Sequence, residues 1–124
     1  MPFKHSARLS WYELSCIDNA IHYIGKKYSE RISADLLAVE VGLNKKKLQA
    51  GFKQRTGQTL HEYILSVRVD KSKHLLTCTS LPLKAIAGLT GFKTTSHFCQ
   101  VFKNIASSTP MEFRLEQKTV LEEL

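Results

Sequence analysis

The sequence predicts an all-α fold, with seven helices forming two helix-turn-helix subdomains joined by a central linker helix. Three observations predict it. Apolar residues recur every three to four positions nearly throughout, and no stretch sustains the alternation of a strand. Capping residues and glycines break that periodicity at short intervals, as in a bundle with brief connections. One pattern is also written twice. Ala38-x-x-x-Gly42 returns 49 residues later as Ala87-x-x-x-Gly91, while Leu48, Phe52-Lys53 and Thr59 return 50 residues later as Phe98, Phe102-Lys103 and Thr109. One residue is therefore inserted just after Gly91.

Each element has its own signals. Trp11, Leu14, Ile17, Ile21 and Ile24 mark a first amphipathic helix over about 11–28. Ser33 caps a short helix reaching about Glu40, which Gly42 ends. Asn44 caps the next, with Leu43 and Leu48 placed as a hydrophobic staple, and it runs to about Arg55 before Gly57. Thr59 opens the linker helix over about 60–77, with Tyr63, Ile64, Val67, Lys71 and Leu75 on or beside one face. Pro82 fits the first turn of a short helix that ends by Gly91. A helix over about 95–105 follows, and Pro110 starts a last one over about 111–118.

Composition narrows the function classes. The 124 residues, 43% of them hydrophobic, fit one compact domain or two very small subdomains. No apolar run approaches the ~18 to 20 residues of a membrane span. The first residues, Met1 to Ser6, lack the apolar stretch of a secretory signal, so the expected location is cytoplasmic. The net charge is +7, and residues 1–114 hold 17 basic against 8 acidic residues. A body this basic points to a polyanionic partner. Cys16, Cys78 and Cys99 are odd in number and widely spaced, with no Cys-x-x-Cys and no His-x-x-x-His. The pair His97 and Cys99 falls far short of a ligand set. No metal and no cofactor are expected, and the thiols are expected to be unligated.

The repeated unit has the requirements of a helix-turn-helix. Two helices crossing steeply need a small residue where their backbones touch, which Ala38 and Ala87 supply. The turn often needs positive φ, which Gly42 and Gly91 adopt without strain. Leu48 and Phe52 then pin the second helix to the first, as Phe98 and Phe102 do in the second copy, where Val101 and Ile105 widen the stripe. A single copy would also suit any helical hairpin, whereas two copies favour the specific reading.

These residues resemble the DNA-binding domain of the AraC/XylS regulators over about 17–116. The resemblance rests on Leu37-Ala38-x-x-Val41-Gly42-Leu43, Leu48-x-x-x-Phe52-Lys53-x-x-x-Gly57 and Tyr63-Ile64-x-x-x-Arg68. It continues through Leu75-Leu76, Ile86-Ala87-x-x-x-Gly91-Phe92, His97-Phe98-x-x-x-Phe102-Lys103 and Thr109-Pro110-x-x-Phe113-Arg114. It implies two subdomains, at about 33–55 and 82–105, joined by the 60–77 helix, each inserting a recognition helix into the major groove. Residues 1–16 are then a lead-in and 117–124 an acidic tail. Ala50 and Gln100 stand where family members often carry Arg, removing two potential guanine contacts. Ser107 replaces a frequent Gly, so the end of the second recognition helix is expected to differ in shape.

With Leu48 and Phe52 inward, Lys46, Gln49, Ala50 and Lys53 fall on the open face of the first recognition helix. In the second, the open face is Ser96, Cys99, Gln100 and Lys103, with Thr94 and Thr95 at its start. The expected base-facing set is Lys46, Gln49, Ala50, Thr95, Ser96, Cys99 and Gln100. The expected phosphate-facing set is Asn44, Lys45, Lys47, Lys53, Lys93, Thr94 and Lys103. Three lysines in one first turn oppose the helix dipole by roughly 0.3 to 1 kcal/mol each, and nearby phosphates would reverse that sign. An ordinary solvated lysine face is the plainer alternative. Gln49 and Gln100 can each donate and accept, as adenine requires. Cys99 can meet a thymine methyl or be a small residue without a role.

Other residues take plainer readings. His5, His22, His61 and His74 are expected to be solvated or capping, and Trp11 and Tyr12 to pack the first helix. Arg68 either braces the subdomains through acids or carbonyls, the favoured role, or reaches a phosphate. An enzyme is not expected, since nucleophile elbows, Walker loops and paired metal ligands are absent, as is the Pro-Cys-His-Arg signature of the methyl-accepting repair protein. An A-form RNA groove would not admit these helices. The expected partners are double-stranded DNA, bound as a monomer, and RNA polymerase, with any dimerisation through a domain absent from this chain. The expected setting is the nucleoid. A protein-interaction bundle without sequence-specific DNA binding is the alternative.

Overall fold

The computed structural model describes residues 8–123, with side chains described through Val120. His5, the rest of the first seven residues and Leu124 lie outside the described residues. Among the described residues there are seven helices and no strand: α1 (Trp11–Lys27), α2 (Ala34–Val41), α3 (Lys45–Thr56), α4 (Leu60–Cys78), α5 (Leu83–Leu89), α6 (Thr95–Ala106) and α7 (Pro110–Glu123). The chain divides into two compact units. The first holds the residues through Lys27 with Arg31–Ile64, and the second holds Tyr28–Glu30 with the residues from Leu65 onward.

In the first unit, Cys16, Ile17, Ala20 and Ile24 of α1 are buried, as are Leu37 and Ala38 of α2, Leu48 and Phe52 of α3, and Leu60 and Ile64 of α4. Trp11 does not join them, being 89% exposed. The expected stripe reached it by two successive three-residue steps, each about 60° short of a full turn at 3.6 residues per turn. Trp11 therefore lies about 120° from Ile17 around the helix. Tyr12 is largely exposed too, although its hydroxyl is used.

The second unit has a core of Val69, Leu76, Ile86, Ala87, Phe92, Phe98, Val101 and Phe102. Ile105, expected in that stripe, is 43% exposed. The α4 face also departs from expectation. Its buried positions are Leu60 and Ile64 in one unit and Val69, Ser72 and Leu76 in the other, with a five-residue step between them. Lys71 is exposed, and Tyr63, Val67 and Leu75 are half-buried. One helix serving two cores carries two short stripes, which a single continuous stripe misplaces.

The helix ends repeat more closely than the sequence pattern. Asn44 and Thr94 cap α3 and α6, accepting from the N–H groups of Lys47 at 2.8 Å and His97 at 3.1 Å. Both helices end in a left-handed residue, Gly57 at φ 80° and Ser107 at φ 66°. Each is followed by a capping box. The N–H of Thr59 donates to the Glu62 carboxylate at 2.9 Å, and that of Thr109 to Glu112 at 2.8 Å. These backbone bonds hold both carboxyls below the ordinary glutamate pKa. Phe52 meets Tyr63 edge-on at 5.2 Å between ring centroids, and Phe102 meets Phe113 likewise at 5.6 Å.

Three boundaries shift. Pro82 stands at the cap of α5, with φ −69° and ψ 157°, rather than in its first turn. α7 continues through Glu123, past the expected end at about 118, so the acidic tail is helical that far. α1 runs through position 16 with Cys16 buried, so the lead-in is part of the first unit from Trp11 onward. The expected change of shape at Ser107 is also absent. Its N–H donates to the Lys103 carbonyl at 2.9 Å, as the Gly57 N–H does to Lys53 at 2.8 Å.

Ser107 is the one non-glycine residue with positive φ among the described residues, a conformation that costs an L-residue roughly 1 to 2 kcal/mol. Ser107→Gly should therefore stabilise the protein by about 0.5 to 1 kcal/mol after the extra chain entropy of glycine is counted. Urea unfolding measures it. A loss of stability would show that the Ser107 side chain, rather than the repeated backbone, sets this turn.

Candidate nucleic-acid interface

The two helix-turn-helix corners share one closing backbone bond. In the first unit the Leu43 N–H donates to the Ala38 carbonyl at 3.1 Å, across Gly42 at φ 81°. In the second the Phe92 N–H donates to the Ala87 carbonyl at 2.9 Å, across Gly91 at φ 95°. This six-to-one closure is the Schellman arrangement and requires a left-handed residue. Ala38 and Ala87 are buried beneath it.

With the corner set and Leu48, Gly51 and Phe52 buried, α3 turns Lys46, Gln49, Ala50 and Lys53 to solvent. Asn44, Lys45 and Lys47 at its start are exposed as well. The first-unit members of the expected sites therefore gather on one helix and its cap. Their electrostatics differ from expectation. Lys45 Nζ lies 3.6 Å from Asp35 Oδ2, and Lys47 Nζ lies 3.6 Å from Glu13 Oε2. The crowded first turn is thus partly neutralised from outside the helix, while Lys46 forms no ion pair among the described residues. Asn44 spends its side-chain oxygen on the cap.

In the second unit, Lys93, Thr94, Ser96, Gln100 and Lys103 are exposed, while Phe98, Val101 and Phe102 are buried. Thr95 and Cys99 are half-buried, and Cys99 packs against the core, so only part of each faces outward. The Thr94 hydroxyl accepts in the cap and keeps its proton to donate elsewhere. The His97 ring is set edge-on to Phe92 at 5.6 Å. The first face carries four lysines on or before its helix and the second carries two.

Arg68 bonds to backbone carbonyls, both of them in the second unit, to which it also belongs. Its Nε donates to the Tyr28 carbonyl at 2.7 Å and its Nη2 to the Glu30 carbonyl at 3.0 Å, with the guanidinium 5.7 Å from the Phe92 ring centroid. Burial lowers its pKa, yet a guanidinium remains charged at any ordinary pH. Arg114 makes a similar pair of bonds, to the carbonyls of Leu76 and Thr79 at the end of α4.

Sequence reasoning missed the acids facing Lys45 and Lys47, and the Tyr12 hydroxyl, which donates to the Gly42 carbonyl at 2.6 Å. One signal was present. Ser10-x-x-Glu13 is a capping box, and it forms, with the Ser10 N–H donating to Glu13 Oε1 at 3.0 Å. That bond is the main reason the Glu13 carboxyl lies below its ordinary pKa. Among the described residues no three His, Cys, Asp or Glu side chains could share a metal ion, and no helix is long and apolar enough to cross a membrane.

Residues 37–116 match the helix-turn-helix domain family. Over 95 residues the chain is 32% identical to the xylose operon regulatory protein of Escherichia coli K12, covering 77% of this chain and 24% of that protein. It therefore spans about a quarter of the length of that curated relative. Among solved structures, a transcriptional regulator from Chromobacterium violaceum with an AraC-type DNA-binding domain matches at TM-score 0.78 and 28% identity, covering 82% of this chain and 91% of its own. The C-terminal domain of AraT, a response regulator from Geobacillus stearothermophilus, matches at TM-score 0.79 and 26% identity, covering 89% and 88%.

Lysine has one ammonium where two separated carbonyls need a planar fork, so Arg68→Lys should cost about 1 to 3 kcal/mol in urea unfolding. Any binding to duplex DNA should keep its salt dependence. A salt slope that fell by about 1 would instead put Arg68 on a phosphate.

Proposed function

We propose, for a chain that belongs to the AraC/XylS family of helix-turn-helix transcription regulators, sequence-specific binding to double-stranded DNA that regulates transcription initiation. The observation that carries the reading is the doubled unit. Each copy buries its aromatic side and turns a polar, lysine-bearing side outward. A helix-turn-helix places its second helix in the major groove, so α3 and α6 are the recognition helices. Both engage one duplex, in successive major grooves. The protein binds as a monomer, because one chain already holds two copies of the reading unit. It acts at the nucleoid as a binding module without catalysis, and an activator's contact with RNA polymerase belongs to the same reading.

Roles divide by chemistry. Lys45, Lys47, Lys53, Lys93 and Lys103, with Asn44 and Thr94, hold phosphates, fixing position without reading sequence. Gln49 and Gln100 read base edges, and Gln suits adenine because it donates and accepts at once. Lys46, Ser96 and Thr95 supply further contacts to base edges. Ala50 and Cys99 supply apolar surface for a thymine methyl. A protein-interaction bundle would need none of this exposed charge.

The difference in charge between the faces ranks them. Lys53→Ala should weaken binding to all duplexes and lower the salt slope by about 1. Lys103→Ala should do the same with a smaller loss, because the first unit dominates affinity. Fluorescence anisotropy over a salt series measures both. Failure of the unaltered chain to prefer any sequence would favour the protein-interaction reading, and a larger loss from Lys103→Ala would reverse the ranking.

A further inference from the structure

The first turn of α1 precedes the residues that match the family, and it fixes an acid against the first recognition helix. Within that turn, Glu13 Oε1 accepts from the Ser10 N–H at 3.0 Å, and the Glu13 N–H donates to the Ser10 hydroxyl at 3.1 Å. The carboxylate is thus held by backbone before any lysine approaches it. Its second oxygen, Oε2, faces Lys47 Nζ at 3.6 Å. The same turn is tied to the helix-turn-helix corner, since the Tyr12 hydroxyl donates to the Gly42 carbonyl. The fit depends on the bare glycine, because a Cβ at position 42 would lie 2.6 Å from that hydroxyl oxygen.

A pair this close to solvent adds little to folding. Its consequence lies in binding. The attraction of duplex DNA for lysine comes chiefly from counterions released by phosphates, whatever the base sequence. A lysine that must leave a fixed carboxylate brings less of that gain, because the carboxylate it leaves gathers a cation. The pair at Lys45 is looser, since Asp35 is 78% exposed at its side chain against 22% for Glu13.

We infer that Glu13 stands in for a DNA phosphate at Lys47, and so restrains the affinity of the first helix-turn-helix for duplex DNA of any sequence. The inference rests on the DNA-binding reading above. Glu13→Gln tests it, because glutamine also completes a capping box and removes only the charge. Thermal unfolding of the variant checks that the fold is kept. Anisotropy titration of the full chain with random-sequence duplex should show Glu13→Gln binding several-fold more tightly at low salt. Its salt slope should be steeper by up to about 1. The gain should vanish when Lys47→Ala is added. Unchanged affinity and slope in Glu13→Gln overturns the inference while the DNA reading stands, and so does a gain that survives Lys47→Ala. No binding to any duplex by the unaltered chain overturns both.

Discussion

The orientation of α3 and of α6 depends on a backbone closure across a left-handed residue. α2 ends at Val41 and α3 begins at Lys45, so the chain must reverse in three residues while the backbone N–H groups of the turn still find acceptors. The N–H of Leu43 reaches back to the Ala38 carbonyl, which also accepts from Gly42, and the N–H of Phe92 reaches back to Ala87 in the second unit. That bond needs positive φ at Gly42 and Gly91 and a small side chain beneath the crossing. Once the corner is set, the rotation of the next helix is no longer free. Leu48 and Phe52, or Phe98 and Phe102, must enter the core, and the remaining faces must look outward. The inserted residue after Gly91 is absorbed between the closure and the Thr94 cap, so the second helix starts in an equivalent setting.

The same construction leaves room for the two units to diverge. Packing fixes only the inner side of α3 and α6. The outer side of α3 is basic, with acids from α1 and α2 leaning against its first turn. That of α6 is richer in hydroxyls and half-buries Cys99 against its core. Two copies of one scaffold thus carry unlike surfaces, as expected if one supplies more electrostatic hold and the other refines the choice of sequence.

Much of this was legible in the sequence because it is local. Caps, glycines and three-to-four spacing act within one turn, so Ser33, Asn44 and Gly57 could be placed from their neighbours alone. What escaped depends on side chains reaching between elements or on one element serving two masters. The buried face of α4 changes register after Ile64 because two cores claim it. Trp11 fits a spacing rule by residue count yet lies off the buried face by angle. Lys47 reads as free charge in sequence, and only the fold brings Glu13 to it. Ser107 shows the reverse. A non-glycine suggested a different turn, but the backbone repeat imposed the left-handed conformation regardless.

The central claim is that both units read bases, each through its own glutamine, on a single site. Selection of bound sequences from random duplex DNA, carried out in parallel with the unaltered chain, Gln49→Ala and Gln100→Ala, tests it most directly. One asymmetric site is expected, since the two outward faces differ, with each variant losing preference at a different base-pair position by about 1 to 3 kcal/mol. A palindromic site, or a preference unchanged in both variants, would contradict it.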